Sequence, residues 1–407
     1  MRDREAFARN DLPRFDAVAG PAREHALAEY LDFWRLRMRI QPPQPEADSG
    51  AADAEIRRFI DRHPGTLVAD LMRRDWLLNL GRRGTWTTFD AEYPRWVLRD
   101  DDEVHCYASL GRVQRAEAAP EARALVFAVR KFGDGCGPLV DALARTGALT
   151  QADLFERLLV ALETNSADAV RRIGDLLSLD RTEVDVALTK PARALAGAPG
   201  REIGLIALSR LARNDPAAAA GRLREGLGAF RAADRDFAWS QVAAAGMRRL
   251  APESLEWTRL ALDARVTDET WTWLARAALR AQDWTALRAV VERMSEPGRR
   301  EPTWAYWHAR ALRETGEAER ADALLKSVAG QFSFYGQLAA EELGQLTSPP
   351  PHATGPTETE LDAPAGNPGF ARAFRFYELG LRFEGNREWN FQLRGMSDRQ
   401  LLAAAQG

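Results

Sequence analysis

The feature that most constrains this chain is a repeat. The offset from Trp273 to Trp307 is also the offset from Ala275-Arg276-Ala277 to Ala309-Arg310-Ala311. Val291 and Leu325 share it, and the turn at Asp283 falls near Gly316. An earlier echo, Leu211-Ala212-Arg213-Asn214-Asp215, precedes Leu279-Arg280-Ala281-Gln282-Asp283 by twice that offset. The period, about 34 residues, is that of tetratricopeptide-type helix pairs. Each pair has an apolar face that only its neighbour covers, so the pairs stack into a curved solenoid.

Local signals agree. Thr267 is placed to cap a helix that opens with Asp268 and Glu269, which suit its dipole, and that runs to a turn at Gln282-Asp283. A second helix stops before Pro297-Gly298, and Pro302 sits where a first-turn proline belongs. Its helix continues to Gly316, and the next ends at Gly330. Apolar residues recur at i, i+3, i+4 and i+7 elsewhere too, and period-2 runs are essentially missing. The expected fold is all-α: a superhelical α-solenoid of stacked antiparallel helix pairs, tetratricopeptide-like towards its C-terminal part.

Two segments interrupt the pattern. Gln41-Pro42-Pro43-Gln44-Pro45 through Asp53 reads as a short polar loop. Thr347-Ser348-Pro349-Pro350-Pro351 through Asn367-Pro368 is proline- and threonine-rich and reads as an inter-domain linker that cannot continue a helix. The expected division is therefore a solenoid over 1–346, a linker over 347–368 and a new aromatic-rich helical unit over 369–407. About 40 residues of amphipathic helix cannot bury their own apolar face, so that unit reads as cut short and residues after about 365 as loosely held.

Composition removes whole classes of function. A net charge of -3 leaves no bulk positive field for nucleic acid. No apolar run reaches the roughly 18 to 20 residues that span a bilayer. The opening from Met1 to Phe7 reads as amphipathic helix with no apolar signal core, which on its face says cytosolic. All but three of the 56 basic residues are arginine, a skew that reads as base composition.

No active site emerges. The five histidines (His25, His63, His105, His308, His352) show no nucleophile–base spacing, and there is no G-x-S-x-G, P-loop or dinucleotide fingerprint. Asp100-Asp101-Asp102-Glu103 reads as a solvated turn between helices. Cys106 and Cys136 are the only cysteines and leave two readings open: buried thiols, or one disulfide in an oxidising compartment. A zinc site from these with His63 and His105 lacks any C-x-x-C or H-x-x-x-H spacing. The 12 tryptophans, among them Trp271 with Trp273, Trp304 with Trp307, and Trp76 near Trp86, serve either as packing between helix pairs or as stacking faces for sugars. Arg276, Arg280, Arg310 and Arg313 are solvated faces or the lining of a groove for an anionic polymer.

The order of these features resembles the large soluble lytic murein transglycosylases of Gram-negative periplasm. The resemblance rests on Arg9-Asn10-Asp11, Leu27-Ala28-Glu29-Tyr30-Leu31-Asp32-Phe33-Trp34, Phe59-Ile60 with His63-Pro64, and Leu71-Met72-Arg73-Arg74-Asp75-Trp76-Leu77. It continues through Trp304 to Leu312, then Phe332-Ser333-Phe334-Tyr335-Gly336-Gln337-Leu338-Ala339-Ala340, and Phe374 to Trp389. In that family a U-shaped superhelical domain is closed into a ring by a linker domain, and a separate lysozyme-like domain cuts the β-1,4 bond between N-acetylmuramic acid and N-acetylglucosamine. One glutamate acts as acid and then base, and a 1,6-anhydromuramic end is formed.

The resemblance implies a periplasmic monomer with an open, U-shaped solenoid, a Cys106–Cys136 disulfide, and no cofactor or metal. Its partners would be peptidoglycan glycan strands and other cell-wall enzymes. Trp304, Trp307, Tyr335, Arg276 and Arg310 are the expected glycan contacts. The family's catalytic Glu-Ser is followed by Gly-Leu-Met-Gln; the only Glu-Ser here, Glu253-Ser254, lies in solenoid sequence without that sequel, so no catalytic residue carries over. Both ends read as trimmed, and the chain by itself is expected to hold glycan and cut nothing. The alternative is a stand-alone tetratricopeptide-like adaptor that docks a protein partner.

Overall fold

The computed structural model describes residues 7, 9–19, 25–40, 46–345 and 351–406. Among these every regular element is helical, from Leu12–Ala19 to Asp398–Gln406. The opening helix expected at residues 1–7 lies outside the described residues but for Phe7, as do 41–45 of the expected loop and 347–350 of the expected linker. The chain forms two compact units. One comprises Met1–Leu125, Gly133–Leu139 and Pro351–Gly407; the other comprises Val126–Phe132 and Val140–Pro350.

The repeat lies in the second unit, as the helices Asp268–Arg280 and Trp284–Val291 followed by Pro302–Glu314 and Ala318–Ala329. Positions one period apart share their burial: Ala275 with Ala309, Ala278 with Leu312, Leu287 with Ala321, and Val291 with Leu325 are all fully buried. Alanine on the facing surfaces lets the helices approach closely, and the larger partners fill what remains. The first helix of each pair ends in a left-handed residue at the same repeat position, Gln282 in one copy and Gly316 in the next. Asp283 then caps the second helix through the Ala286 amide at 2.8 Å.

Arginines stitch successive helix ends together in this unit. Helix C-termini leave carbonyls without an intrahelical partner. Arg213 donates to Leu162 O and Glu163 O at 3.1 and 2.5 Å, at the end of Gln151–Glu163. Arg249 donates to Arg213 O at 2.9 Å, and Arg280 to Leu250 O at 2.8 Å. Arg222 does the same for Leu195 O at 2.9 Å. A guanidinium has five donors in a fixed fork and reaches such groups with its stem packed on the helix; an ammonium is a poor substitute. The skew towards arginine therefore has a structural use, which composition alone does not reveal.

A different arginine is buried outright. Arg157 is 0% exposed, donates to Val126 O and Val129 O at 2.9 Å each, and lies 4.4 Å from the Phe132 ring centroid. Burial pulls its pKa down to about 10.

In the first unit the expected loop through Asp53 is instead helical from Glu46 to Arg62. The reason lies in its partners. Asp53 accepts from the Trp76 indole at 2.7 Å and from Arg83 at 2.7 and 2.9 Å, while Ile56, Phe59 and Ile60 are buried. Residues 358–365, inside the stretch expected to resist helix, also form one: Thr357 and Glu360 make a reciprocal capping box, and Arg399 holds Glu360 at 3.0 Å.

Residues after 365 are not loosely held. Helices Pro368–Glu378 and Arg382–Gln392 pack on each other and meet Ala28–Ile40. The Tyr30 and Phe376 rings stand edge to face at 4.7 Å, and Glu388, 0% exposed, takes the Tyr30 hydroxyl and Arg372 at 2.9 Å. Arg372 also pairs with Glu29 at 2.9 Å. This last segment buries its apolar face against helices from the other end of the chain.

Candidate functional site

Four of the five expected glycan contacts sit on accessible parts of the second unit, and one does not. Trp304 is 5% exposed and offers no ring face, so it is corrected to a core residue. It occupies the position held one repeat earlier by Thr270, which is also buried. Trp307 and Tyr335 are half-buried and come together: the indole N–H points to Tyr335 Oη at 3.4 Å and the rings lie 6.4 Å apart. Tyr306 joins them at 5.2 and 5.6 Å.

Arg310 borders this aromatic cluster. It donates to Tyr306 Oη at 3.2 Å and to Glu342 at 2.9 Å, and its guanidinium stands 5.8 Å from the Trp284 ring centroid. Arg313 pairs with the same Glu342 at 2.6 Å. One carboxylate thus serves two guanidiniums, and the hydrogen bond to Tyr306, with the charge of Glu342, holds Arg310 above its ordinary pKa. Arg276 lies on the neighbouring repeat with its guanidinium 4.6 Å from the Trp273 centroid, and Arg248 stands 4.8 Å from the same ring.

Sequence reasoning missed several neighbours. Phe332 and Phe334 are 70% and 69% exposed, and Phe334 meets Tyr335 edge to face at 5.1 Å. Large aromatics at that exposure extend the apolar face beside Trp307. The only available signal was their placement either side of Ser333, which caps Phe334–Glu342 and leaves both rings outside the pair's core. A cleft of about 620 Å³ opens nearby, lined by Arg299, Arg300, Ala305, His308, Leu324 and Gln331 among others. His308 is buried there, and burial, opposed by Glu292, pushes its pKa down.

Cys106 and Cys136 are joined in a disulfide, so neither thiolate is left to bind a metal. Glu103 is not in a turn. It lies in the first turn of Asp102–Gln114, and its carboxylate accepts from the amides of Gly133, Gly135 and Cys136 at 2.8, 2.6 and 2.9 Å. A Cβ at Gly135 would fall 2.6 Å from Glu103 O, so only glycine allows this approach. Ser254, of the single Glu-Ser pair, is buried and donates to Ala251 O at 2.7 Å, which is a helix-start role.

No protein-family model matches the sequence, and no curated protein does. Solved structures match its fold. An inactive mutant of the lytic transglycosylase Slt from Pseudomonas aeruginosa superposes with a TM-score of 0.58 at 22% identity, over 99% of this chain and 66% of that one. The 70 kDa soluble lytic transglycosylase from Escherichia coli gives 0.53 at 18%, with the same 99% and 66% coverage. A complex of the 70 kDa soluble lytic transglycosylase with bulgecin A gives 0.50 at 18%. At these identities the likeness is one of fold, and this chain spans 66% of the length of each of the three. Among the described residues no helix is long and apolar enough to cross a membrane.

Proposed function

We propose that this chain is the non-catalytic, glycan-handling part of a periplasmic peptidoglycan lytic transglycosylase. The observation that carries the reading is the fold likeness to such enzymes over 99% of the chain. The disulfide supports it, because such bonds persist in oxidising compartments. In this reading residues 1–346 are the superhelical part, 347–368 the linker and 369–407 the start of the closing domain, which docks back on the first helices. Trp307, Tyr335 and the exposed Phe334 offer sugar-stacking faces, with Arg310 and Arg276 beside them. Cleavage of the glycan belongs to a lysozyme-like domain outside these residues.

The test is cosedimentation of the purified 407-residue chain with intact sacculi, with the supernatant analysed for 1,6-anhydro-muropeptides. Binding without release is expected. Release of anhydro products overturns the non-catalytic assignment. Failure to pellet, with capture of a protein partner instead, overturns glycan handling in favour of a tetratricopeptide-like adaptor.

A further inference from the structure

Two successive repeats place a tryptophan and an arginine at the same positions, as rungs in different charge states, although Arg276 lies over Trp273 and Arg310 over Trp284. Trp273 and Arg276 occupy the positions that Trp307 and Arg310 take in the next repeat. At the later rung the cations are neutralised: Arg310 and Arg313 share Glu342 at 2.9 and 2.6 Å, and Arg313 also holds Asp322 at 2.9 Å. At the earlier rung they are neutralised less fully. Among the described residues no carboxylate pairs with the exposed Arg276, whose guanidinium lies over the half-buried Trp273 at 4.6 Å. Arg248 stands over the same ring at 4.8 Å with its side chain 31% exposed. Its ion-pair partner is Glu269, at a long 3.9 Å, and Glu269 is also held by Arg130 at 2.6 Å.

Burial and the neighbouring Arg276 both push the Arg248 pKa down, against the pull of Glu269, as expected of cations short of counter-charge. Arg213 adds to the local field; it gives its hydrogen bonds to carbonyls and has its pKa lowered by burial and by Arg248. In a chain of net charge -3 such a site is a local exception.

We propose that Trp273, Arg276 and Arg248 form a subsite for a carboxylate borne on a sugar ring. The sugar packs beside the indole, and the carboxylate completes the two guanidiniums that cover it through charge-assisted hydrogen bonds. A neutral sugar gains only that packing. This inference rests on the glycan reading above and adds to it a preference among strands: those whose muramic carboxyls are free are held more tightly than those whose carboxyls are capped.

The test uses the full 407-residue chain and glycan strands stripped of peptide, either with free muramic carboxylates or with the same carboxyls converted to methylamides, followed by isothermal titration. Capping is expected to weaken binding at least about tenfold. Arg276→Gln should weaken binding of the carboxylate strands by a similar factor and leave the capped strands unaffected, whereas Arg310→Gln, on the neutralised rung, should not discriminate between them. Inorganic phosphate should compete with the carboxylate strands more than chloride does at equal ionic strength. Equal binding of both strands, or an Arg276→Gln effect equal on both, overturns the subsite and leaves the glycan reading standing. Binding of neither strand overturns both. Arg276 is exposed on its helix, and an unchanged melting curve separates loss of the site from loss of the fold.

Discussion

The Tyr30 hydroxyl donates to the Glu388 carboxylate across 358 residues of sequence, inside a site where Glu388 has no exposure to solvent. Arg372 sits between Glu388 and Glu29, so one guanidinium serves two carboxylates from opposite ends of the chain. A buried carboxylate is tolerable only when its oxygens are occupied, and here Tyr30 and Arg372 occupy both.

Removing the hydroxyl alone isolates this relationship. Tyr30→Phe keeps the ring against Phe376 and leaves one Glu388 oxygen without its donor. A loss of about 1 to 3 kcal/mol in urea unfolding is expected. No measurable loss would mean that the hydrogen bond contributes nothing.

The same carboxylate sets a pH dependence. Burial, ahead of the opposing effect of Arg372, holds the Glu388 pKa above its ordinary 4.5. The folded state then binds the proton more tightly than the unfolded chain. This group's contribution is full below pH 4.5 and is lost as pH rises through the folded value. Glu388→Gln cannot ionise, so its stability relative to wild type should improve from about pH 4 to pH 7. A difference that is flat, or that falls over that interval, refutes the assignment.

Arg157 offers a second measurement, in the other unit. Its donors satisfy Val126 O and Val129 O with no carboxylate in the arrangement. Arg157→Met should destabilise by about 2 to 4 kcal/mol by leaving those carbonyls unpaired, and Arg157→Lys should recover less than half of it. Full recovery by lysine would show that charge, not the guanidinium fork, is what matters.

The disulfide closes a separation of 30 residues. In the chain-entropy account a loop of that size is worth about 3 to 4 kcal/mol, so Cys106→Ser with Cys136→Ser should lower the unfolding midpoint accordingly. Unfolded, non-reduced protein from its native compartment should show no thiol to an alkylating reagent. Two labelled cysteines would refute the bond.

The solenoid was legible because its signal is local and repeated: Ala275 and Ala309, or Val291 and Leu325, are buried for the same reason at the same offset. The contact between Tyr30 and Glu388 was not, since a glutamate flanked by Arg387 and Trp389 reads as a solvated helix face. The arginine-to-carbonyl bonds were equally hidden, because their acceptors are backbone atoms of other helices and carry no side-chain signature. Trp304 and Trp307 look alike in sequence, and only packing decides that the first is core and the second half-exposed. Glu103 was read from charge alone as solvated, although its acceptor role depends on Gly133 and Gly135 being bare enough to approach.

The docking of helices after Pro368 onto Ala28–Ile40 also bears on how the molecule comes into being. A ribosome adds roughly 5 to 20 residues per second, so the 358 residues between Tyr30 and its partner represent roughly 20 to 70 s of synthesis. For that time the first helices exist without the surface that covers Tyr30, while the repeats between them can pair with their immediate neighbours as they emerge. The middle of the chain matures first, and its beginning is completed by its end.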